Sequence, residues 1–149
     1  MRAVVERVTR ARVVVDEVVP AAIDAGLLVY LGVGRGDEEA DRRYVVEKIA
    51  RLRVFPDEGG KMNLAVADSG GAVLVVPAFT VQADARKGRR PAFDGAADPQ
   101  AARAHFEQLC DALVDIGLTV GRGVFGAQMS VEAVNDGPIC ILLDSRRGF

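Results

Sequence analysis

The chain has 149 residues, of which half are hydrophobic and 27% are charged, and its formal net charge is −2. This is the length of one domain with a core that needs no disulfide or metal support, and the charge gives no reason to expect general nucleic-acid binding. Two cysteines are too few for a disulfide framework or a zinc site, and neither a signal peptide nor a membrane-spanning run is visible. We therefore expect a cytoplasmic protein with no membrane partner.

The first fifty residues predict short strands followed by a helix. Valine-rich segments at residues 2–8, 11–15, 18–19 and 27–31 are typical of strands joined by tight turns. Asp37 is placed to cap a helix whose buried face is predicted from the helical spacing of Val45, Ile49 and Leu52. The chain therefore begins with β-structure and continues into a first helix.

The rest of the chain predicts more strands and a second helix. Breaks at residues 57–60 and 69–71 precede an apolar strand at 72–76 and a strand that continues to Phe79-Thr80. Asp98-Pro99 predicts the start of a helix that ends at Gly117. Its predicted buried stripe is Ala102, Phe106, Leu109, Cys110, Leu113 and Ile116. Strands are predicted at 118–124, 130–134 and 139–143, followed by a loose tail at 146–149, so we expect one α/β domain with mixed strands.

Few side chains offer acid, base or nucleophilic chemistry. His105 lies one position off the buried stripe of the second helix, which argues against a catalytic triad, and Cys110 is expected to be a small core residue. Residues 32–36 contain three glycines but lack the phosphate-binding pattern, so we interpret them as a strand-exit loop. No His/Cys cluster has metal-ligand spacing, and we expect no metal and no cofactor.

Six stretches, in chain order, resemble the D-aminoacyl-tRNA deacylase family. They are residues 1–8, 61–64, 75–81, 83–91, 124–129 and 135–140, the last of which reads Asn-Asp-Gly-Pro-Ile-Cys. By itself this last stretch predicts an ordinary turn. The resemblance implies one domain over residues 1–149, with an α/β fold of mixed, partly barrel-like β-sheet and two main helices. It also implies a homodimer that acts on tRNA without a cofactor.

The family hydrolyses the ester between an amino acid and the terminal ribose of tRNA, using the ribose 2′-hydroxyl and backbone groups instead of a protein nucleophile. The resemblance assigns stabilisation of the oxyanion to the backbone N–H groups of Phe79 and Thr80. It assigns chiral selection to Gly137 and Pro138, which reach into the pocket of the partner subunit as a cis pair. Since the selection excludes L side chains sterically, glycyl esters are expected to fit as well.

Further positions carry over by the same resemblance. The residues expected to bind substrate or adenosine are Glu6, Arg7, Pro77, Ala78, Phe125, Met129, Asn135 and Cys140, and the residues expected to contact tRNA phosphates are Arg86, Lys87, Arg89 and Arg90. Taken alone, Phe79 and Met129 are typical core residues, Arg7 is a strand-surface charge, and the basic run is a solvated loop. The Thr80 hydroxyl, with no base nearby in sequence, fits a structural role better than a nucleophile.

The chain departs from the family at three places. Pro77-Ala78 stands where Ser-Gln is usual, Ile139-Cys140 where Val-Thr is usual, and Glu6 where Gln is usual. The first change removes polar groups near the expected ester, and Glu6 introduces a group that only accepts hydrogen bonds when ionised. Two alternatives therefore stay open beside a deacylase with a shifted substrate range. One is a weakly active or inactive paralogue that binds a tRNA 3′ end or an adenosine-like ligand, and the other is a hydrolase with Thr80 as nucleophile.

Overall fold

The elements of the chain were defined in a computed structural model that describes residues 1–148. The strands are β1 (Arg2–Val15), β2 (Val18–Ile23), β3 (Gly26–Gly32), β4 (Phe55–Pro56), β5 (Met62–Leu64), β6 (Ala72–Pro77), β7 (Val120–Arg122) and β8 (Ser130–Asp144). The helices are α1 (Glu39–Arg51) and α2 (Pro99–Asp115), and a short 3-10 turn covers Phe79–Gln82. The predicted order of strands and helices is confirmed, with an additional hairpin formed by β4 and β5.

β1 is the central strand of the sheet. It pairs antiparallel with β8 on one edge, and on the other edge with β3 along its first half and β2 along its second half. β6 and β7 extend the sheet beyond β3 in parallel. The two strands predicted at residues 2–8 and 11–15 are one continuous strand, with an irregular register around Val8. Since β1 changes partners along its length, the mixed sheet curls into the partly barrel-like form that was expected.

The two faces of the sheet carry separate apolar clusters. Because successive side chains of a strand point to opposite faces, Leu27 and Val29 of β3 face the cluster that includes Phe106 and Leu109 of α2. Leu28 faces a second cluster, which also contains Val8, Val13, Leu74 and Val76. Helices therefore cover one face, and the other face contributes the surface on which the candidate site lies.

Asp37 does not cap the first helix. Glu38 is the N-cap residue, and its N–H donates to the Asp41 carboxylate at 2.8 Å. The Asp37 side chain is buried; one of its oxygens accepts from the Gly34 N–H at 2.6 Å and the other lies 2.8 Å from the Met1 ammonium group. A buried carboxylate needs charged partners, and these are the distant Met1 group and the Arg146 guanidinium, which lies 3.0 Å from the same oxygen.

The second helix begins as expected and ends one residue earlier than its predicted stripe. The Asp98 carboxylate accepts from the N–H groups of Gln100 and Ala101, with Pro99 at the first helical position. Ile116 was predicted to be buried but is 56% exposed, because the helix ends at Asp115 and Ile116 is its C-cap residue.

The last third of the chain differs most from the expectation. The strands predicted at 130–134 and 139–143 are the two ends of one strand, β8, and the strand predicted at 118–124 is reduced to β7. The prediction of a loose tail is wrong for Arg146 and Gly148. The Arg146 guanidinium donates to the Arg35 carbonyl at 2.9 Å, and the Gly148 N–H donates to the Asp144 carboxylate at 3.1 Å. Phe149 lies outside the described residues. No helix within residues 1–148 has the length and apolar character of a membrane span.

Candidate functional site

The 3-10 turn that follows β6, here called the Phe79 turn (Phe79–Gln82), presents unpaired backbone donors. The Ala78 N–H donates to the Leu31 carbonyl at 2.8 Å and ends the sheet, so the strand predicted through Phe79-Thr80 is wrong. The first N–H groups of a helical turn have no internal acceptor. Accordingly, neither the Phe79 N–H nor the Thr80 N–H forms a hydrogen bond with another described residue. These two adjacent donors can stabilise an oxyanion.

Three of the expected substrate-binding residues lie beside this turn. Pro77 and Ala78 lead directly into it and are half-buried, and Met129 approaches from the segment before β8. A Cβ added at Gly123 would lie 3.0 Å from Pro77 Cδ and 3.2 Å from Met129 Sδ, so these residues meet at one point. Phe79 is 58% exposed, which contradicts the reading of this residue as core and leaves its ring available to a ligand.

The corner formed by residues 135–139 is rigid by construction. The Asn135 side chain closes it at both ends, with its amide nitrogen donating to the Ile139 carbonyl at 3.0 Å and its oxygen accepting from the Ile139 N–H at 3.1 Å. Gly137 has φ +143°, and a Cβ there would lie 2.6 Å from the Ile139 nitrogen, so the position requires glycine. The Gly137-Pro138 peptide bond is cis, and both residues are exposed.

Arg7 holds this corner against the rest of the sheet. Its guanidinium donates to the Asp136 carbonyl at 3.2 Å and to the Val54 carbonyl at 2.5 Å, and it forms an ion pair with the Asp136 carboxylate at 3.0 Å. The side chain is only 11% exposed. The structure therefore brings Arg7 and Asn135 together with the Gly137-Pro138 pair as one unit.

Glu6 and Cys140 are directly opposite each other on β1 and β8, next to this corner. Tyr30, which no sequence pattern singled out, lies on the same sheet face as Glu6. Burial raises the pKa of Tyr30, and the negative charge of Glu6 raises it further. The alternation of side chains along β3 was the signal that could have identified it.

The corner and the Phe79 turn are separated within one chain. The corner belongs to β8, the turn follows β6, and β1 and β3 lie between them. Three strand spacings amount to about 14 Å. The corner of a chain is therefore not a part of that chain's own Phe79 turn.

Phe125 lies on the helical side of the sheet. Its ring contacts Phe106 of α2 with the centroids 6.2 Å apart, and the Arg103 guanidinium lies 5.0 Å above it. Its packing thus differs from that of Met129, which joins the cluster on the opposite face.

The basic run lies in a loop that is closed on itself. Asp84 and Ala92 exchange two backbone hydrogen bonds, of 2.8 and 2.9 Å, at the base of this basic loop, residues 84–92. Arg86 pairs with the Asp84 carboxylate at 2.6 Å, and this contact lowers the pKa of Asp84. The other cations, Lys87, Arg89 and Arg90, are exposed and form no ion pair with the described residues. Phe93, which no sequence pattern singled out, follows the loop and contacts Phe79.

His105 and Cys110, which could offer base and nucleophile chemistry, are engaged elsewhere. His105 Nδ1 lies 3.3 Å from the Arg42 guanidinium, between the two helices. Burial raises the pKa of Cys110 to about 12, which keeps its thiol protonated. Within residues 1–148 there is no group of three His, Cys, Asp or Glu side chains arranged to hold a metal ion.

Comparison with known proteins supports one family. The family model described as D-Tyr-tRNA(Tyr) deacylase matches residues 4–144. The chain is 59% identical to a protein named D-aminoacyl-tRNA deacylase from Anaeromyxobacter dehalogenans, and 53% identical to one of the same name from Koribacter versatilis, each over the full length of both chains. A solved structure named c-Myc DNA Unwinding Element Binding Protein superposes with a TM-score of 0.93 at 37% identity, covering 97% of this chain and 98% of that one. The chain belongs to the D-Tyr-tRNA(Tyr) deacylase family.

Proposed function

We propose that the protein hydrolyses the ester of D-aminoacyl-tRNA, and of glycyl-tRNA, to free amino acid and tRNA in the cytoplasm. The substrate class comes from the names of its relatives. The observation that supports the reaction in this chain is the pair of free N–H groups at Phe79 and Thr80, on an exposed turn beside Pro77 and Met129.

The chemistry follows from these donors and from the substrate. Water adds to the ester carbonyl carbon, the carbon–oxygen bond to the ribose breaks, and the ribose oxygen takes a proton. The negative charge that develops on the carbonyl oxygen is stabilised by the N–H groups of Phe79 and Thr80. The vicinal 2′-hydroxyl of the ribose lies beside the ester and replaces a protein base, since proximity alone lowers such a barrier by several kcal/mol.

Chirality is selected by the corner of a second copy of the chain. A chain's own corner lies three strands away from its own Phe79 turn, so the corner that faces the ester comes from a partner. In this homodimer the exposed Gly137 and Pro138 occupy the space that an L side chain would need, and glycine fits because it has none. The exposed apolar side chains Leu142 and Val134 of β8 fit a surface that a second copy covers.

The terminal adenosine binds against the ring of Phe79, with Met129 and Pro77 at its side. Glu6 and Cys140, which lie opposite each other next to the corner, border this surface on the side of the corner. The unpaired cations Lys87, Arg89 and Arg90 contact phosphates of the acceptor stem, and these contacts confer affinity without sequence preference.

The direct test compares three substrates at equal enzyme concentration: D-tyrosyl-tRNA, L-tyrosyl-tRNA and glycyl-tRNA. We expect hydrolysis of the first and third and no hydrolysis of the second above the uncatalysed rate. A D-tyrosyl-tRNA that ends in 2′-deoxyadenosine should be cleaved much more slowly than the ribose form. Equal rates on both enantiomers would contradict the proposal.

One observation favours a second candidate, a protein that binds the tRNA 3′ end with little turnover. Pro77 has no N–H, and the N–H of Ala78 is used by the Leu31 carbonyl, so the positions where the family has Ser-Gln offer no donor. Under this alternative the double substitution Pro77→Ser with Ala78→Gln creates activity that the native chain lacks. A native chain that is already fully active eliminates it.

A third candidate is a hydrolase with Thr80 as nucleophile, and a single variant distinguishes it from the proposed reaction. The Thr80 hydroxyl forms no hydrogen bond with a side-chain base among the described residues. The proposed reaction needs only the Thr80 backbone, so Thr80→Ala should retain turnover. Complete loss of turnover would support the nucleophile instead.

A further inference from the structure

The basic loop is joined to the Phe79 turn at two points. The first is covalent, through Ala83, whose N–H donates to the Thr80 carbonyl at 3.0 Å. The second is Phe93, whose ring meets the ring of Phe79 in an edge-on contact, with the centroids 5.0 Å apart and the planes at 69°. Edge-to-face aromatic pairs are attractive and directional. The position of the exposed Phe79 ring therefore depends on Phe93.

The basic loop is braced internally as well as closed at its base. The Asp84 carboxylate accepts from the Arg86 N–H at 3.0 Å and from its guanidinium at 2.9 and 2.6 Å. On the other side, the Phe93 carbonyl accepts from the Ala96 N–H at 2.9 Å. The base of the loop and its first cation, Arg86, are therefore held in place next to Phe93, the residue that follows the loop.

Of the four cationic side chains in the loop, one is paired with a carboxylate and three are available to a ligand. Arg86 is neutralised by Asp84, whereas Lys87, Arg89 and Arg90 have no ion pair with the described residues. Exposed cations of this kind bind phosphates with an affinity that falls as salt rises. Phosphate contacts on these three cations thus act on a loop whose closed base adjoins Phe93.

We propose that Phe93 is a positioning residue, which couples phosphate binding on the basic loop to the placement of Phe79. Hydrolysis is then fastest when the ester is attached to an acceptor stem that contacts the loop. Phe93 does not touch the reacting atoms and acts only through the Phe79 ring. This inference rests on the proposed hydrolysis of aminoacyl-tRNA.

A kinetic test uses Phe93→Leu, which removes the ring, and Phe93→Tyr, which keeps it. On D-tyrosyl-tRNA, Phe93→Leu should lower kcat by about 10- to 100-fold, the range expected when a positioned group shifts by a fraction of an ångström to 1 Å. KM should stay within about two-fold, and Phe93→Tyr should remain near the native rate. Tyr44→Leu, which removes a half-buried aromatic ring from α1, is the matched control and should change neither constant.

The same variants are measured on D-tyrosyl-adenosine, an ester without phosphates. The loss caused by Phe93→Leu should be clearly smaller on this substrate, because there is no phosphate contact to transmit. An equal loss on both substrates, a change confined to KM, or a Phe93→Tyr variant as slow as Phe93→Leu would each overturn the inference.

A second readout does not depend on catalysis. The chain has no tryptophan, so Phe93→Trp introduces a single emission probe at the contact with Phe79. Titration with uncharged tRNA should shift its emission further than adenosine alone does, and replacing Lys87, Arg89 and Arg90 by alanine should reduce the tRNA shift to that of adenosine. Binding of tRNA without any shift overturns the coupling. A shift in a protein that hydrolyses no D-aminoacyl ester instead refutes the proposed function and leaves the coupling supported.

Discussion

Arg7 and Asp136 contact each other at two points, although they are 129 positions apart in the chain. The Arg7 Nε atom donates to the Asp136 carbonyl at 3.2 Å and lies 3.0 Å from its carboxylate. The residue after Asp136 is Gly137, so this contact fixes the direction in which the corner leaves the sheet. The third contact, to the Val54 carbonyl, ties the same guanidinium to the segment after α1.

Replacing Arg7 should therefore affect both stability and chiral selection. Arg7→Ala leaves the carbonyl oxygens of Asp136 and Val54 without their donor, at a cost of about 1–3 kcal/mol in the free energy of unfolding. We expect the ratio of D- to L-tyrosyl-tRNA hydrolysis to fall, because the corner is no longer held. Arg51→Ala, which removes an exposed side chain of α1, should change the free energy of unfolding by less than about 0.5 kcal/mol. An Arg7→Ala variant with the native ratio of D- to L-tyrosyl-tRNA hydrolysis would show that the corner is rigid without the Arg7 contacts.

The role of the Phe79 N–H can be separated from that of its ring. Phe79→Ala and Phe79→Pro both remove the ring, but only proline also removes the N–H. Proline fits the position, because Ala78 is extended with φ −142° and Phe79 opens the 3-10 turn. Loss of one oxyanion donor costs about 10²- to 10³-fold in kcat, so Phe79→Pro should be slower than Phe79→Ala by roughly that factor. Equal kcat values in two variants of similar thermal stability would remove Phe79 from the oxyanion site.

Gly137 is constrained both by its backbone conformation and by the lack of room for a Cβ atom. A comparison with Gly126 separates these two effects. Gly126 has φ +79° and open space where a Cβ would lie, so Gly126→Ala should cost only the left-handed backbone term of about 1–2 kcal/mol. Gly137→Ala meets the additional contact of 2.6 Å with the Ile139 nitrogen and should be clearly more destabilised in urea unfolding. We also expect the ratio of D- to L-tyrosyl-tRNA hydrolysis to fall in this variant, because the corner shifts. Equal destabilisation of the two variants would mean that the corner relaxes freely.

Sequence patterns predicted the features that depend on neighbouring residues. Asp98 and Pro99 specify a helix start through local hydrogen bonds, and that start is confirmed. Asp37 was assigned to a cap because its partner, the Met1 ammonium group, is far away in sequence. The Phe79 turn was missed for a similar reason, since the Ala78 N–H is used by Leu31 on another strand and the sheet ends there.

The candidate site divides in the same way. The resemblance singled out Arg7 and the residues of the corner, and the side-chain contacts of Arg7 and Asn135 explain how they form one unit. Neither Phe93 nor Tyr30 is part of a sequence motif, because the interaction that makes each of them notable is with a residue on another segment. Such contacts follow from the packing of the sheet and are not encoded in local spacing.

Asp144 should make the protein sensitive to acid. Burial alone would raise its pKa, but hydrogen bonds from the N–H groups of Arg146 and Gly148, together with Arg2, outweigh burial and lower it. A carboxyl group whose pKa is lowered by folding stabilises the native state above its unfolded value, near 3.9, and this contribution is lost as pH falls through the lower folded pKa. Asp144→Asn should therefore lose about 1–3 kcal/mol of unfolding free energy at pH 7.

The difference between Asp144→Asn and the native chain should shrink as pH falls below about 4. Asp115→Asn, at the exposed end of α2, serves as the control and should behave like the native chain at both pH values. Urea unfolding at pH 7 and pH 3.5 provides the measurement. A difference that grows on acidification would reverse the sign of the assigned shift.

The two cysteines should differ completely in reactivity. The Cys110 thiol is fully buried in α2, and burial raises its pKa to about 12, so it is neither accessible nor ionised at neutral pH. Cys140 is exposed on β8, opposite Glu6. A colorimetric thiol reagent should therefore titrate one thiol per native chain and two after denaturation, and Cys140→Ser should abolish the native reaction. Because Cys140 lies on the surface proposed to be covered by the partner subunit, its reaction should be slower at concentrations that favour the dimer than at high dilution. A folded Cys140→Ser variant that still reacts at once with the thiol reagent would mean that α2 opens readily and that Cys110 is not part of a closed core.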